Sequence, residues 1–202
     1  KRTGTNDSLW DAKSDGIGAT EIYKAGQSPV NRNIISIGTQ DNGELFYDGI
    51  WKTNRGGDWT SRVFFDHSTE NTIYYLGNGQ RRSFLPYGGS SSYNSPFAAT
   101  NSSRIAFHPN QQNLSILAKD NIFVTTNLTA SLPTWTNIYT TTNAIRGLCI
   151  STADSTIAYV VSNTAKFTRI TNLLGTPVVT TLTAPNSTSS QGSVAAVKGN
   201  VN

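Results

Sequence analysis

The feature that most limits how this chain can fold is a repeat. Short apolar stretches ending at Ile22, Phe65, Phe107 and Ile150 are separated by 43, 42 and 43 residues. Each is followed by a polar turn and then by further runs rich in β-branched and aromatic residues, at 34–39 and 44–47, 72–76 and 80–84, 114–118, 122–126 and 135–138, and 156–162, 166–171 and 178–182. Four strands recurring at about 40–45 residues is the spacing of propeller blades. A β-sandwich also has frequent turns, but nothing holds them to a fixed long period. The expected fold is therefore all-β, a β-propeller portion of about four blades, each a four-stranded antiparallel sheet. The expected blades are 15–58, 59–100, 101–143 and 144–189, with 1–14 ending a preceding blade and 190–202 starting a further one. A blade buries its two faces only against neighbours. The remaining blades of a seven- or eight-bladed ring are thus expected from the same protein or a partner chain, the alternative being a closed four-bladed ring.

Composition narrows the function classes. The chain has 16 basic and 12 acidic residues, but the basic ones are scattered, adjacent only at Lys1-Arg2 and Arg81-Arg82. With no basic stripe or helix, no nucleic-acid partner is expected. Cys149 is the sole cysteine, which excludes an internal disulfide and a thiolate zinc site. Flanked by Leu148 and Ile150, it reads as a small buried apolar residue rather than a nucleophile. His67 and His108 lie in polar turns outside any metal-spaced cluster, so no metal and no cofactor are expected. No apolar run approaches the ~18 residues of a membrane span.

The best-formed repeat is 34–59. It reads as a strand, a tight turn on Asp41, Asn42 and Gly43, a second strand, and a loop ending in Trp51. Asn-Gly between β-formers points to a type I′ turn, with positive φ at both central residues. The run Gly38-Thr39-Gln40-Asp41-Asn42-Gly43, then Trp51, then Gly56-Gly57-Asp58 resembles the GTQDNG…W…GGD block of bacterial BNR-repeat, sialidase-like or sortilin (VPS10)-like propellers. Trp10, Ser14, Gly16, Ile17 and Tyr23 stand where that group carries a W…S.GL…Y segment. The resemblance is specific from about Trp10 to Ser83. It implies a secreted or cell-surface, extracellular protein of the kind exported by the type IX system of Bacteroidetes. The group's Asp-box, S-x-D-x-G-x-x-W, is worn here: 83–89 has no Asp, 125–135 has Asn127 in its place, and a copy near Thr171 reads as lost. Those departures weigh against sialidase activity.

Glycoside hydrolysis needs two carboxylates across a cleft. The candidates are Asp41, Glu44, Asp48, Asp58 and Asp66, against which Asp41 and Asp58 read more simply as residues that fix turns by accepting backbone N–H bonds. Asp41-Asn42-Gly43 lacks the Asp-x-Asp loop of a calcium site. Trp51, Arg55, Asp58, Trp59 and Tyr87 are the candidate binding residues, since indole and phenol faces pack on apolar sugar faces. Gln40, Asp41, Asn42, Gly43, Gly56 and Gly57 form the structural turn motif. The expected function is a non-catalytic module that binds a glycan or surface protein or acts as a scaffold. The alternative is a glycoside hydrolase of sialidase-like or xyloglucanase-like propeller type.

Overall fold

The fold is that of a computed structural model, which describes residues 20–59, 62–66, 72–77, 79–84, 90–98, 100, 103–163 and 166–182. Among the described residues, sixteen strands form four sheets. The first is β1 (Ile22–Gln27), β2 (Ile35–Thr39), β3 (Glu44–Tyr47) and β4 (Trp51–Arg55). The second is β5 (Arg62–Phe65), β6 (Thr72–Gly77), β7 (Gly79–Phe84) and β8 (Ser90–Ser92). The third is β9 (Arg104–Phe107), β10 (Ser115–Ala118), β11 (Asn121–Thr125) and β12 (Thr136–Thr140), and the fourth is β13 (Ile145–Ile150), β14 (Ala158–Ser162), β15 (Phe167–Thr171) and β16 (Val178–Leu182). Within each sheet, sequential strands pair antiparallel, so every sheet is a four-stranded meander.

Apolar clusters lie between sheets, as the blade pattern requires. Phe46, Trp59, Val63, Phe65, Ile73 and Tyr75 join the first sheet to the second. Tyr74, Leu76, Tyr93, Phe107, Leu117 and Leu128 join the second to the third, and Ala106, Ile116, Ile122, Ile150, Val160 and Ile170 join the third to the fourth. Strand β10, Ser-Ile-Leu-Ala, is buried at every residue because a neighbouring sheet covers each of its faces.

One hydrogen bond repeats in all four sheets, linking the end of the first strand to the start of the second. The amides of Ser28, Asp66, His108 and Ser151 donate to the carbonyls of Ile34, Thr72, Leu114 and Ile157 at 2.9, 3.1, 3.0 and 2.8 Å. Inside three of the turns so closed, the first side chain caps a backbone amide: Ser28 Oγ accepts from Asn31, His108 Nδ1 from Asn110 and Ser151 Oγ from Asp154, each at 3.1 Å. This register corrects the repeat alignment. The first strands end at Gln27, Phe65, Phe107 and Ile150, so the first interval is 38 residues rather than 43. Ile22 opens β1 instead of closing it. The misreading arises because β1 has a glycine where its neighbours carry apolar side chains: a Cβ on Gly26 would come within 3.0 Å of the Val63 carbonyl.

Two strands depart from the expected loops. Trp51 opens β4 instead of ending a loop, and β8 falls where the sequence shows no apolar strand pattern. Ser90–Ser92 has no apolar pattern and is strand by pairing with Arg81, Arg82 and Ser83. The expected Asn-Gly type I′ turn is also corrected. Positive φ falls on Asp41 (61°) and Gly43 (80°), flanking Asn42, and the Asn42 amide bonds the Gln40 carbonyl at 2.7 Å. The connection is the four-residue loop Gln40–Gly43, with a γ-turn about Asp41 in its hydrogen bonding.

Candidate functional site

The Gln40–Gly43 loop is clasped by the segment after β4. Trp59 N–H donates to the Thr39 carbonyl at 3.0 Å, Asn42 and Gly57 form an isolated bridge, and the Asp58 carboxylate accepts the Asp41 amide at 2.9 Å. Thr39 donates both its amide and its hydroxyl to the Gly43 carbonyl, at 2.9 and 2.7 Å. Asn42 Nδ2 reaches Thr20 Oγ1 at 2.7 Å, tying the clasp to the start of β1. The separated halves of the GTQDNG…GGD block are thus one object: Asp58 supplies the acceptor that an amide in a left-handed turn needs.

The candidate binding residues separate. Trp59 is 5% exposed, edge-on to Tyr75 at 6.0 Å with the Arg55 guanidinium 5.3 Å over its ring. It packs in the apolar cluster between the first two sheets. Trp51 is 54% exposed and lies against Tyr47 at 5.1 Å. Tyr87, Trp10, His67 and the stretches 1–14 and 190–202 lie outside the described residues.

The candidate acids have separate local surroundings. Asp48 pairs with Lys52 at 2.6 Å, Asp58 holds the clasp, Asp41 is exposed in the loop, and Asp66 is buried at the repeated hydrogen bond. Glu44 is fully buried between the first two sheets, accepting from Ser36 Oγ at 3.3 Å and Asn54 Nδ2 at 3.1 Å, beside the Tyr75 phenol. Burial raises its pKa above the ordinary 4.5, against the pull of its hydrogen bonds and of Arg55. The folded state therefore binds the proton more tightly than the unfolded chain does. The stability due to that proton is full below 4.5 and is lost as pH rises through the raised value. In Glu44→Gln this component of the pH dependence should vanish, leaving Tm flatter above pH 4.5 than in the parent; parallel Tm–pH curves would refute the assignment.

The first strands of all four sheets surround a cavity of about 390 Å³, walled by Val63, Phe65, Phe107 and Cys149 among others and also lined by Pro29, Pro109 and Thr152. Among the described residues no carboxylate lines it. Burial pushes the Cys149 thiol pKa up, away from thiolate, and lowers that of His108, whose Nδ1 is already used in its turn. Among the described residues no group of His, Cys, Asp or Glu could hold a metal ion, and no helix is long and apolar enough to cross a membrane.

The worn Asp-boxes are also visible. Asn127 Oδ1 accepts from Thr134 N at 2.9 Å and from Thr125 Oγ1 at 2.9 Å, while buried Leu128 donates its amide to Asn113 at 3.0 Å. In the fourth sheet Asn172 and buried Leu173 stand in the same place, with Leu173 N–H on the Thr156 carbonyl at 3.1 Å and Asn172 Nδ2 on Thr176 at 3.0 Å. The copy near Thr171 is altered rather than lost, with Asn172 at φ 58°. The signal that would have found it is the shared Thr-Asn-Leu at 126–128 and 171–173.

This is a propeller-type fold: four consecutive antiparallel meanders stacked face to face around the edges of their first strands. Among solved structures the chain is similar to the GH74 enzyme of Niastella koreensis, with a TM-score of 0.56 and 12% identity over 74% of this chain and 29% of that one. At that identity the likeness concerns the fold, and the chain spans less than a third of that enzyme. No protein-family model and no curated relative matches the sequence.

Proposed function

We propose that this segment is a non-catalytic module of a larger propeller in a secreted or cell-surface protein, serving as a scaffold or as a binding surface for a glycan or protein. What supports this reading is that no described residue lining the cavity is a carboxylate, while Glu44, Asp48 and Asp58 are each engaged in structural contacts elsewhere. Retaining or inverting hydrolysis needs two carboxyl groups within roughly 5–10 Å across an open cleft. A further blade would cover the partly exposed Tyr159–Phe167 stack on the fourth sheet.

Incubating the purified chain with xyloglucan oligosaccharides and with sialyllactose should release no product above a protein-free control. Release abolished by Asp58→Asn would establish the hydrolase alternative instead. On a glycan array, any binding through the exposed indole should disappear in Trp51→Ala. Because Trp51 is a surface residue, that variant should shift Tm by no more than about 2 °C.

A further inference from the structure

The turns at the two ends of the sheets differ in chemistry. In a four-stranded meander the first and third connections fall at one end and the second at the other. The first strands run the same way: Gly26 lies against Val63, Arg104 Nε donates to the Arg146 carbonyl at 2.9 Å, and Pro29, Pro109 and Thr152, each two residues past a first strand, line one cavity. The first and third turns of the first, third and fourth sheets therefore share one side of the molecule. Among the described residues, the exposed large apolar side chains Val30, Ile50, Trp51, Leu132, Leu174 and Val178 are in or beside those turns, and only Ile22 is at the other end. Charges are few there. Asp48 is paired with Lys52, which leaves exposed Arg32 in the first sheet and exposed Asp154 in the fourth. The second turns, at the opposite end, hold Asp41, Lys119, Asp120 and Lys166 instead.

The positions on the apolar side correspond in pairs. Arg32 and Asp154 both lie in first turns, of the first and fourth sheets, while Ile50 and Trp51 stand at the third turn of the first sheet and Leu174 and Val178 at the third turn of the fourth. The apolar clusters join the sheets in chain order. A two-fold axis perpendicular to the first strands and passing between the second and third sheets therefore sets the first sheet of one copy on the fourth sheet of another, turn for turn. Opposite charges then meet at the first turns and apolar side chains at the third, each twice by symmetry. We infer that this side is an isologous interface between two copies of the chain, in which Ile50 and Trp51 pack on the partner's Leu174 and the partner's Val178 while Arg32 faces the partner's Asp154. Apolar burial supplies the affinity, and the charge pair fixes the orientation. The interface goes beyond the binding-module reading and is independent of it, because further blades dock on sheet faces and leave these turns open.

Sedimentation velocity of the chain over a concentration series should show reversible exchange between monomer and dimer. Ile50→Lys and Leu174→Lys, at exposed positions that should leave the monomer folded, should each raise the dimer dissociation constant about tenfold or more, since each change is felt at both symmetric contacts. Arg32→Glu and Asp154→Lys should each weaken dimerisation about threefold, and the double variant should recover most of the loss, a coupling that damage to either turn alone would not produce. Ile22→Lys, exposed at the opposite end, should change nothing. A mass that stays monomeric up to about 1 mM chain would overturn the interface. So would dimers insensitive to Ile50→Lys and Leu174→Lys, which would run through the flanks of the first and fourth sheets, or a monomer whose glycan-array binding is lost in Ile50→Lys, which would give this side to a glycan.

Discussion

Replacing Gly43 by alanine is expected to lower Tm by about 10 °C or more, the effect of roughly 4 kcal/mol in a chain of this size. Two independent causes act at this position. Its φ of 80° is one that side chains with a Cβ rarely adopt, at about 1–2 kcal/mol. Its Cβ would also fall 1.6 Å from the Arg55 carbonyl oxygen, a backbone atom that cannot swing aside. Relief would require β4 and the Gly56–Trp59 segment to lift off the loop, breaking the Trp59–Thr39 and Asp58–Asp41 bonds together. Gly57 separates the two causes: its φ is 79° but a Cβ there meets nothing within 4 Å. Gly57→Ala should therefore cost only about 1–2 kcal/mol. Thermal unfolding of the two variants side by side measures the difference, and equal losses would show that the close approach of Arg55 does not matter.

The repeat was legible because it is written in burial. Phe65, Phe107 and Ile150 each end a first strand whose apolar side chains pack on adjacent sheets, so their spacing of 42 and 43 survived in the sequence. The first copy was misaligned because close approach of β5 demands Gly26, and a glycine leaves no apolar mark. A better ruler was present in the turns: Ser28-Pro29-Val30-Asn31-Arg32-Asn33-Ile34 and His108-Pro109-Asn110-Gln111-Gln112-Asn113-Leu114 share one hydrogen-bond frame. β8 was hidden since its three serines are strand only through their partners. Trp51 and Trp59 looked alike in sequence, and only the packing of Tyr75 and Arg55 around one of them distinguishes a filler from an exposed ring.

Arg82→Met should be the other large loss, about 3 kcal/mol or roughly 6–12 °C in Tm. Arg82 is 5% exposed on β7, and its Nη1 and Nη2 donate to the Leu128 and Ala130 carbonyls at 2.9 and 2.7 Å while its guanidinium lies 5.8 Å over Tyr93. The two bonds hold the loop before β12 onto the second sheet, spanning the interface that Tyr74, Phe107, Leu117 and Leu128 pack. Methionine keeps most of the apolar stem but supplies no donor, so a buried carbonyl loses its partner, which costs more than the bond itself contributed. Lysine offers a point charge that can reach one carbonyl but not the planar pair, so Arg82→Lys should recover only part of the loss. The damage should be local before it is global. Hydrogen exchange at the Leu128 amide, which donates to Asn113, should quicken, although Trp135 Nε1 on Asn94 and Asn94 Nδ2 on Pro133 still tie the same loop down. The Trp59 amide, in the interface between the first and second sheets, should keep its protection. Uniform loss of protection at both amides would mean that the sheets unfold as one unit and that Arg82 does not act as a clamp on a single interface.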